Sequence, residues 1–248
     1  MIDPNRLERV RTVEDVDRKG TLISKDVLRT DRDTVFPLQA ALGYDLAQTL
    51  FIGPNCLLVE GPSDLVYLQV LNDCIVKSGY KGLDPKWVIV PIGGADKIAT
   101  FVSLMGANKL NIAVLIDITS KDKQRVKNLQ DNAFLGNDNI INIGEIVDSP
   151  NADIEDIFEP YFYLKLVNGG YSEQLGTDLT LELMTSSNPR IIKRIEEHFR
   201  TNNIAEGRFN HYIPSVYLLK NVNLLSEIDK GTMERAEVLF TRINSLLN

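Results

Sequence analysis

Leu57-Leu58-Val59-Glu60-Gly61-Pro62-Ser63-Asp64 sets the strand-to-helix rhythm of this chain. An apolar run ends in a carboxylate, a glycine and a proline turn the chain, and a second carboxylate follows. Such a run reads as a buried strand entering a helix through a tight turn. Ser63 is placed to cap that helix, and Leu65, Leu68, Val70, Leu71 and Ile75 carry it to about Lys77. In open α/β sheets the functional sites lie at the carboxyl ends of the strands. A carboxylate there is costly to bury unless it is paired or bound to a cation. Glu60 is therefore a candidate metal ligand.

Outward from this stretch the alternation continues. Cys56–Glu60, Trp87–Pro91, Asn111–Asp117 and Asn139–Val147 read as strands. Ala95–Met105 and the charged Lys121–Asp131 read as helices, and Asp153–Phe158 begins another. Repeated βα units predict an α/β fold with a parallel sheet covered on both faces. Right-handed crossovers bring the strand ends that matter to one side. After about Gly170 the rhythm becomes helical, through Leu179–Met184, Pro189–Arg200, Ile213–Leu219 and Glu234–Leu247. The division expected is a lead-in over 1–50, an α/β domain over 51–170 and a helical region over 171–248 that completes or packs on it. Within the lead-in, a charged stretch from Glu14 to Lys19 precedes an amphipathic one, and Pro37 suits the start of a helix towards Leu50.

A length of 248 residues can bury a real core. The net charge of −7 argues against coating nucleic acid by charge alone, though not against acting on it. Cys56 and Cys74 lie in apolar contexts and read as buried thiols. No apolar run is long enough to cross a bilayer, and Met1–Arg6 lacks the pattern of a signal peptide. The expected location is the cytoplasm, with no membrane partner.

Glu60 closes the first strand of the sheet and Asp117 the third, and Asp153 and Glu155 arrive as a short acidic cluster. Asp64 stands at a helix start, where a carboxylate is favoured. Hard divalent cations take several oxygen ligands, and two ions about 4 Å apart clamp both oxygens of a phosphodiester undergoing displacement. Each acid also has a plainer role. Asp64 suits a helix start, and Asp153 suits an N-cap with Asp156 completing a box-like turn. Asp117, after Ala113-Val114-Leu115-Ile116, is the hardest to explain without a site.

Gly93-Gly94, after the second strand of the sheet, either frees backbone N–H groups for an anion or forms a plain turn. No phosphate-binding G-x-x-x-x-G-K-[ST] loop occurs, which argues against ATP hydrolysis by this chain alone. His198 lies on a charged helix and reads as solvated. His211, just before a helix, could donate to a phosphate oxygen or bond to backbone in a turn. Lys121, Lys123, Arg125 and Lys127 suit either a nucleic-acid backbone or a solvated helix face.

Four motifs carry a resemblance: LLVEGPSD at Leu57–Asp64, VPIGGADK at Val90–Lys97, VLID at Val114–Asp117 and ADIEDIF at Ala152–Phe158. With the lead-in Asp33–Gly53, the chain resembles the C-terminal region of the overcoming-lysogenization-defect (OLD) family of ATP-dependent endonucleases, over roughly residues 20–220. The resemblance implies a Toprim fold, a Rossmann-like parallel sheet flanked by helices. It implies a hydrolase acting on DNA, a metal-dependent endonuclease with two Mg²⁺ or Mn²⁺ ions, Ca²⁺ occupying the site without activity. Glu60, Asp64, Asp117, Asp153 and Glu155 match the metal-binding acids, with Glu60 and Asp117 also catalytic. His211 stands where the family places a late basic residue, with Lys193 and Lys220 as alternatives. The implied partners are DNA, an ATPase domain of the same longer protein or a separate ATPase, and a second copy in a homodimer.

One position departs from the pattern. The Asp-x-Asp motif reads Asp117-Ile118-Thr119, and a hydroxyl is a weaker ligand than a carboxylate. Either Asp122 reaches in through a water, or one ion binds poorly. The rival reading is a non-catalytic Toprim module that binds DNA or dimerises, with Thr119 marking a decayed metal site. A third is RNA cleavage, as some Toprim proteins mature RNA.

Overall fold

The computed structural model describes residues 12–16, 20–24, 53–94, 97–99, 101–102, 110–117, 129 and 135–247. Four strands form one parallel sheet: β3 (Asn55–Val59), β4 (Trp87–Pro91), β5 (Asn111–Ile116) and β6 (Ile140–Asn142), in the order β4-β3-β5-β6. In sequence order β3 leads outward to β4 on one side, whereas β5 leads to β6 on the other. The order therefore reverses between β3 and β5, and a crevice opens at their carboxyl ends. Glu60 and Asp117 are the residues that follow those two strands.

Period-two alternation explains how the sheet is covered. Leu57 and Val59 of β3 face one apolar cluster with Ala113, Leu115 and Ile141. Cys56 and Leu58 face the other, with Val114, Ile116, Ile98, Val102 and Leu129. Both faces are thus buried, as near-continuous apolar strands predict. The fold is α/β, a Rossmann-like parallel sheet flanked by helices with an additional C-terminal helical region.

Helix α1 (Pro62–Lys77) has Gly61, not Ser63, at its N-cap, with Pro62 at the first turn. Asp64 accepts the Gly61 N–H at 2.8 Å, so the helix-start role read for it is real. The fourth strand stops early: Ile143–Ile146 forms a short helix α2 instead of extending β6 to Val147. Asn142 caps it by accepting the Gly144 N–H at 3.0 Å. The carbonyl of Gly144 then accepts the Ser149 N–H at 2.9 Å. A Cβ on Gly144 would overlap the Ser149 carbonyl oxygen, which is backbone and cannot swing away. Gly144→Ala is expected to cost about 1–3 kcal/mol in a urea titration.

Ile154–Ile157 is a 3-10 turn in place of the start of a longer helix. Helices α3 (Pro160–Gly170), α4 (Ser172–Leu175), α5 (Ile191–Thr201), α6 (Tyr212–Lys220) and α7 (Lys230–Asn244) follow. Only Leu181–Leu183 of the segment 179–184 is helical, as a 3-10 turn. Helix α1 contacts both α6 and α7, so it lies inside an apolar cluster that also holds Phe199, Leu218, Leu239, Phe240 and Ile243. Helix α7 is also stitched to the amino ends of the strands. Asn244 accepts the Asp84 N–H at 2.8 Å and donates to the Gly82 carbonyl at 2.9 Å. Asn111 donates to the Leu246 carbonyl at 2.9 Å.

Near the start of the chain, β1 (Thr12–Val16) and β2 (Gly20–Ser24) form an antiparallel hairpin that the polar lead-in did not suggest. The helix expected from Pro37 to Leu50 and most of those over 95–105 and 121–131 lie outside the described residues. Among the described residues no helix is long and apolar enough to cross a membrane.

Candidate functional site

Glu60, Asp64, Asp117, Asp153, Glu155 and His211 all line one cleft of about 720 Å³ at the crevice between β3 and β5. The Glu60 carboxylate accepts the Asp117 N–H at 3.2 Å, which ties the two strand ends together. The Gly94 N–H donates to the Glu60 carbonyl at 2.8 Å, so the glycine pair serves this turn with one of its donors. Gly93 and Gly94 both take positive φ, 72° and 131°, which L side chains rarely adopt.

The 3-10 turn Ile154–Ile157 carries Asp153 and Glu155 to the same rim. The Asp153 N–H donates to Asp156 at 2.8 Å, and Asp156 also accepts the Ile191 N–H at 3.2 Å. Asp156 thus fills its half of the capping box, while the Asp153 carboxylate is turned elsewhere. Ligand oxygens of Asp117, Asp153 and Glu155 lie within 4.8 Å of one another, a cluster of a size that a cation would accept.

Two of those three acids are already paired. Arg190, just before α5, binds Asp153 with both arms of its guanidinium: Nε donates to Oδ2 at 2.6 Å, and a terminal nitrogen to Oδ1. This fork is the strong geometry for Arg and carboxylate. His211, just before α6, lies between two acids, with Nδ1 3.4 Å from Glu155 and Nε2 3.1 Å from Glu196. Lys193 closes the chain of charges by donating to Glu196 at 2.6 Å. The metal-dependent hydrolase expected above, with its Mg²⁺ or Mn²⁺ ions and two-metal catalysis, is therefore corrected. Asp153 and Glu155, two of the carboxylates that would coordinate the ions, are engaged by Arg190 and His211.

The electrostatics follow from crowding. The Asp117 carboxyl is pushed well above its ordinary range by burial and by the charges of Asp64, Asp153, Glu60 and Glu155. Burial, then Glu155 and Glu60, raises Asp64 to about 7 against the pull of the Gly61 N–H. Burial raises Asp156 to about 6. Burial alone would lower His211, but its bonds to Glu155 and Glu196 outweigh this and raise it to about 10. Burial would raise Glu196, yet His211 and Lys193 bring it down to about 2.

A pH dependence follows from Asp64. Its folded value of about 7 stands above the ordinary 3.8, so its stabilising contribution is complete below pH 3.8. As pH rises towards 7 the unfolded chain releases this proton first, and the contribution is lost. Asp64→Asn is expected to be relatively more stable at pH 7.5 than at pH 4.5, compared with the parent chain in guanidinium titrations. Equal differences at both pH values would refute this.

Sequence reasoning missed Arg190, Glu196, Arg208 and Phe209. Arg208, Phe209 and Arg190 line the cleft, and Glu196 anchors His211. Of the three late basic residues considered, His211 and Lys193 line the cleft, whereas Lys220 is exposed at the end of α6 and is not part of its wall. Thr119, Asp122 and the Lys121–Lys127 run lie outside the described residues.

The parallel sheet and the acidic cluster are consistent with a Toprim-like fold in general. No protein-family model matches the chain, and no curated protein or solved structure matches it significantly.

Proposed function

We propose that this chain is a Toprim-like module of OLD type that binds DNA without cutting it. The observation that supports this is the occupation of the rim. Arg190 and His211 supply, from the protein itself, the positive charge that Asp153 and Glu155 would otherwise draw from cations. Neutralising these two acids also weakens the local field that repels phosphate. Arg190, Lys193 and Arg208 then stand in the same cleft as the remaining acids. Contact at one cleft, rather than coating, suits a chain of net charge −7.

On this reading residues 1–50 lead in from an ATPase, of the same or a separate chain, 51–170 form the Toprim-like domain, and 171–248 pack on it. A homodimer would present two such clefts, and light scattering checks for it.

The test compares binding with cleavage. Fluorescence anisotropy is expected to show binding of a labelled DNA in EDTA, weakening as salt rises. Supercoiled plasmid is expected to remain intact with Mg²⁺ or Mn²⁺ present, and calorimetry to show no uptake of either ion at millimolar concentration. Nicking that disappears in both Glu60→Ala and Asp117→Ala would overturn the non-catalytic reading. An absence of DNA binding would overturn the assignment of DNA.

A further inference from the structure

Arg208-Phe209-Asn210-His211-Tyr212 contributes five successive residues to the wall of the cleft. Only its last residue belongs to a helix, yet the segment is held from three sides. The Tyr171 hydroxyl accepts the Asn210 N–H at 2.7 Å and donates to the Asn210 carbonyl at 3.2 Å. One side chain thereby satisfies both main-chain groups of one loop residue. The Phe209 ring packs 5.5 Å from Tyr171 and 5.1 Å from Phe199, centroid to centroid. His211 is fixed between Glu155 and Glu196. A loop held in this way loses little conformational freedom when it meets a ligand.

What the clamping leaves outward is specific. The side chains of Arg208 and Asn210 are exposed. Arg208 has no ion-pair partner among the described residues. The Asn210 side-chain oxygen accepts the Tyr212 N–H at 3.0 Å, which orients its amide. Glu60, Asp64 and Asp117 line the same cleft, at the strand ends and the start of α1.

This division of charge sorts the parts of a nucleotide. A phosphate is attracted to Arg208 at the rim, and the buried acids of the cleft, their carboxyls raised or paired, offer it no counter-charge. A base is uncharged; it can lie against an aromatic face, and its amino groups can donate to carboxylates. The cleft, at about 720 Å³, falls in the size range that accepts a small organic guest. A duplex keeps its bases stacked inside its phosphates and would offer this cleft only charge.

We propose that Arg208–Tyr212 is the contact element for a single nucleic-acid strand, with a phosphate on Arg208 and an unstacked base in the cleft. Tyr171 is its positioning residue. This rests on the reading of the chain as a non-cleaving DNA-binding module and narrows it to unpaired strands.

The experiment is anisotropy in EDTA with a labelled single-stranded DNA, its duplex, and single-stranded RNA of the same sequence. The single strand is expected to bind about tenfold more tightly than the duplex. Arg208→Ala is expected to weaken it about tenfold and to reduce the slope of log affinity against log salt by about one. Tyr171→Phe keeps the ring and removes the hydroxyl's two bonds to Asn210, one of the three restraints on the loop, so it is expected to weaken binding with the slope unchanged. Thermal melts of both variants show whether they fold. Lys86→Ala, exposed at the opposite, amino ends of the strands, is the control and is expected to change neither quantity. Tighter binding of the RNA supports the single-strand contact and moves the ligand from DNA to RNA. Equal affinity for duplex and single strand, or an unchanged Arg208→Ala, overturns this proposal while leaving DNA binding in place. No binding of any of the three overturns both.

Discussion

Arg190→Ala is expected to lower the stability of this protein by about 3–5 kcal/mol, the range for removing one partner from a buried ion pair. The Asp153 side chain is 6% exposed and its arginine partner 17%, so water compensates little for the loss. What remains is a buried carboxylate within 4.8 Å of two others, Asp117 and Glu155. Chemical denaturation at neutral pH measures the loss. The double variant Arg190→Met with Asp153→Leu separates two contributions, because a buried pair replaced by apolar side chains is often neutral or stabilising. If the double variant recovers most of the stability, the ion pair serves specificity at the rim more than net stability. If Arg190→Ala costs less than about 1 kcal/mol, the pairing does not hold in solution, and the case against cation binding at Asp153 fails with it.

His211→Ala is expected to produce the second large effect, and its size depends on pH. In the folded protein the imidazole holds its proton up to about 10, against an ordinary 6.5. Its contribution is therefore complete below pH 6.5 and is lost as pH rises through 10. The imidazole is 39% exposed, and solvent screening reduces its worth to about 2 kcal/mol at pH 6. The difference between parent and variant is expected to shrink steadily between pH 7 and pH 10. A difference that stays constant over that interval would show that His211 contributes packing against Phe209 rather than charge. Their ring centroids lie 5.3 Å apart, so this alternative has a structural basis.

The two variants test elements that differ in how far they could be read in advance. The sheet was legible because β3 and β5 are apolar on both faces, a pattern that follows from local sequence alone. The meeting of Glu60 and Asp117 was legible too, since strand-end acids in a parallel sheet share one edge. Arg190 was not. It stands 37 residues from Asp153, and nothing in the run Asn188-Pro189-Arg190 specifies a partner so far away. Glu196 escaped notice for the same reason, 15 residues from His211 on an otherwise charged helix. The acids alone therefore suggested a metal centre, and only tertiary structure revealed that the counter-charges are built in. The hairpin β1–β2 was hidden differently: Glu14 and Asp15 gave its first strand the look of a polar tail.

The stitching of α7 to the amino ends of the sheet bears on how the molecule is made. Asn111 in β5 bonds to Leu246, 135 residues later, and the loop at Gly82–Asp84 waits on Asn244 across 162 and 160 residues. Contacts of such long sequence separation are slow to form, because a large loop must close before they return any energy. A nascent chain on the ribosome can pair β3 with β4 early, but α1 keeps an uncovered apolar side until α7 has been synthesised. An uncovered apolar side of this kind is an aggregation hazard until α7 docks on it.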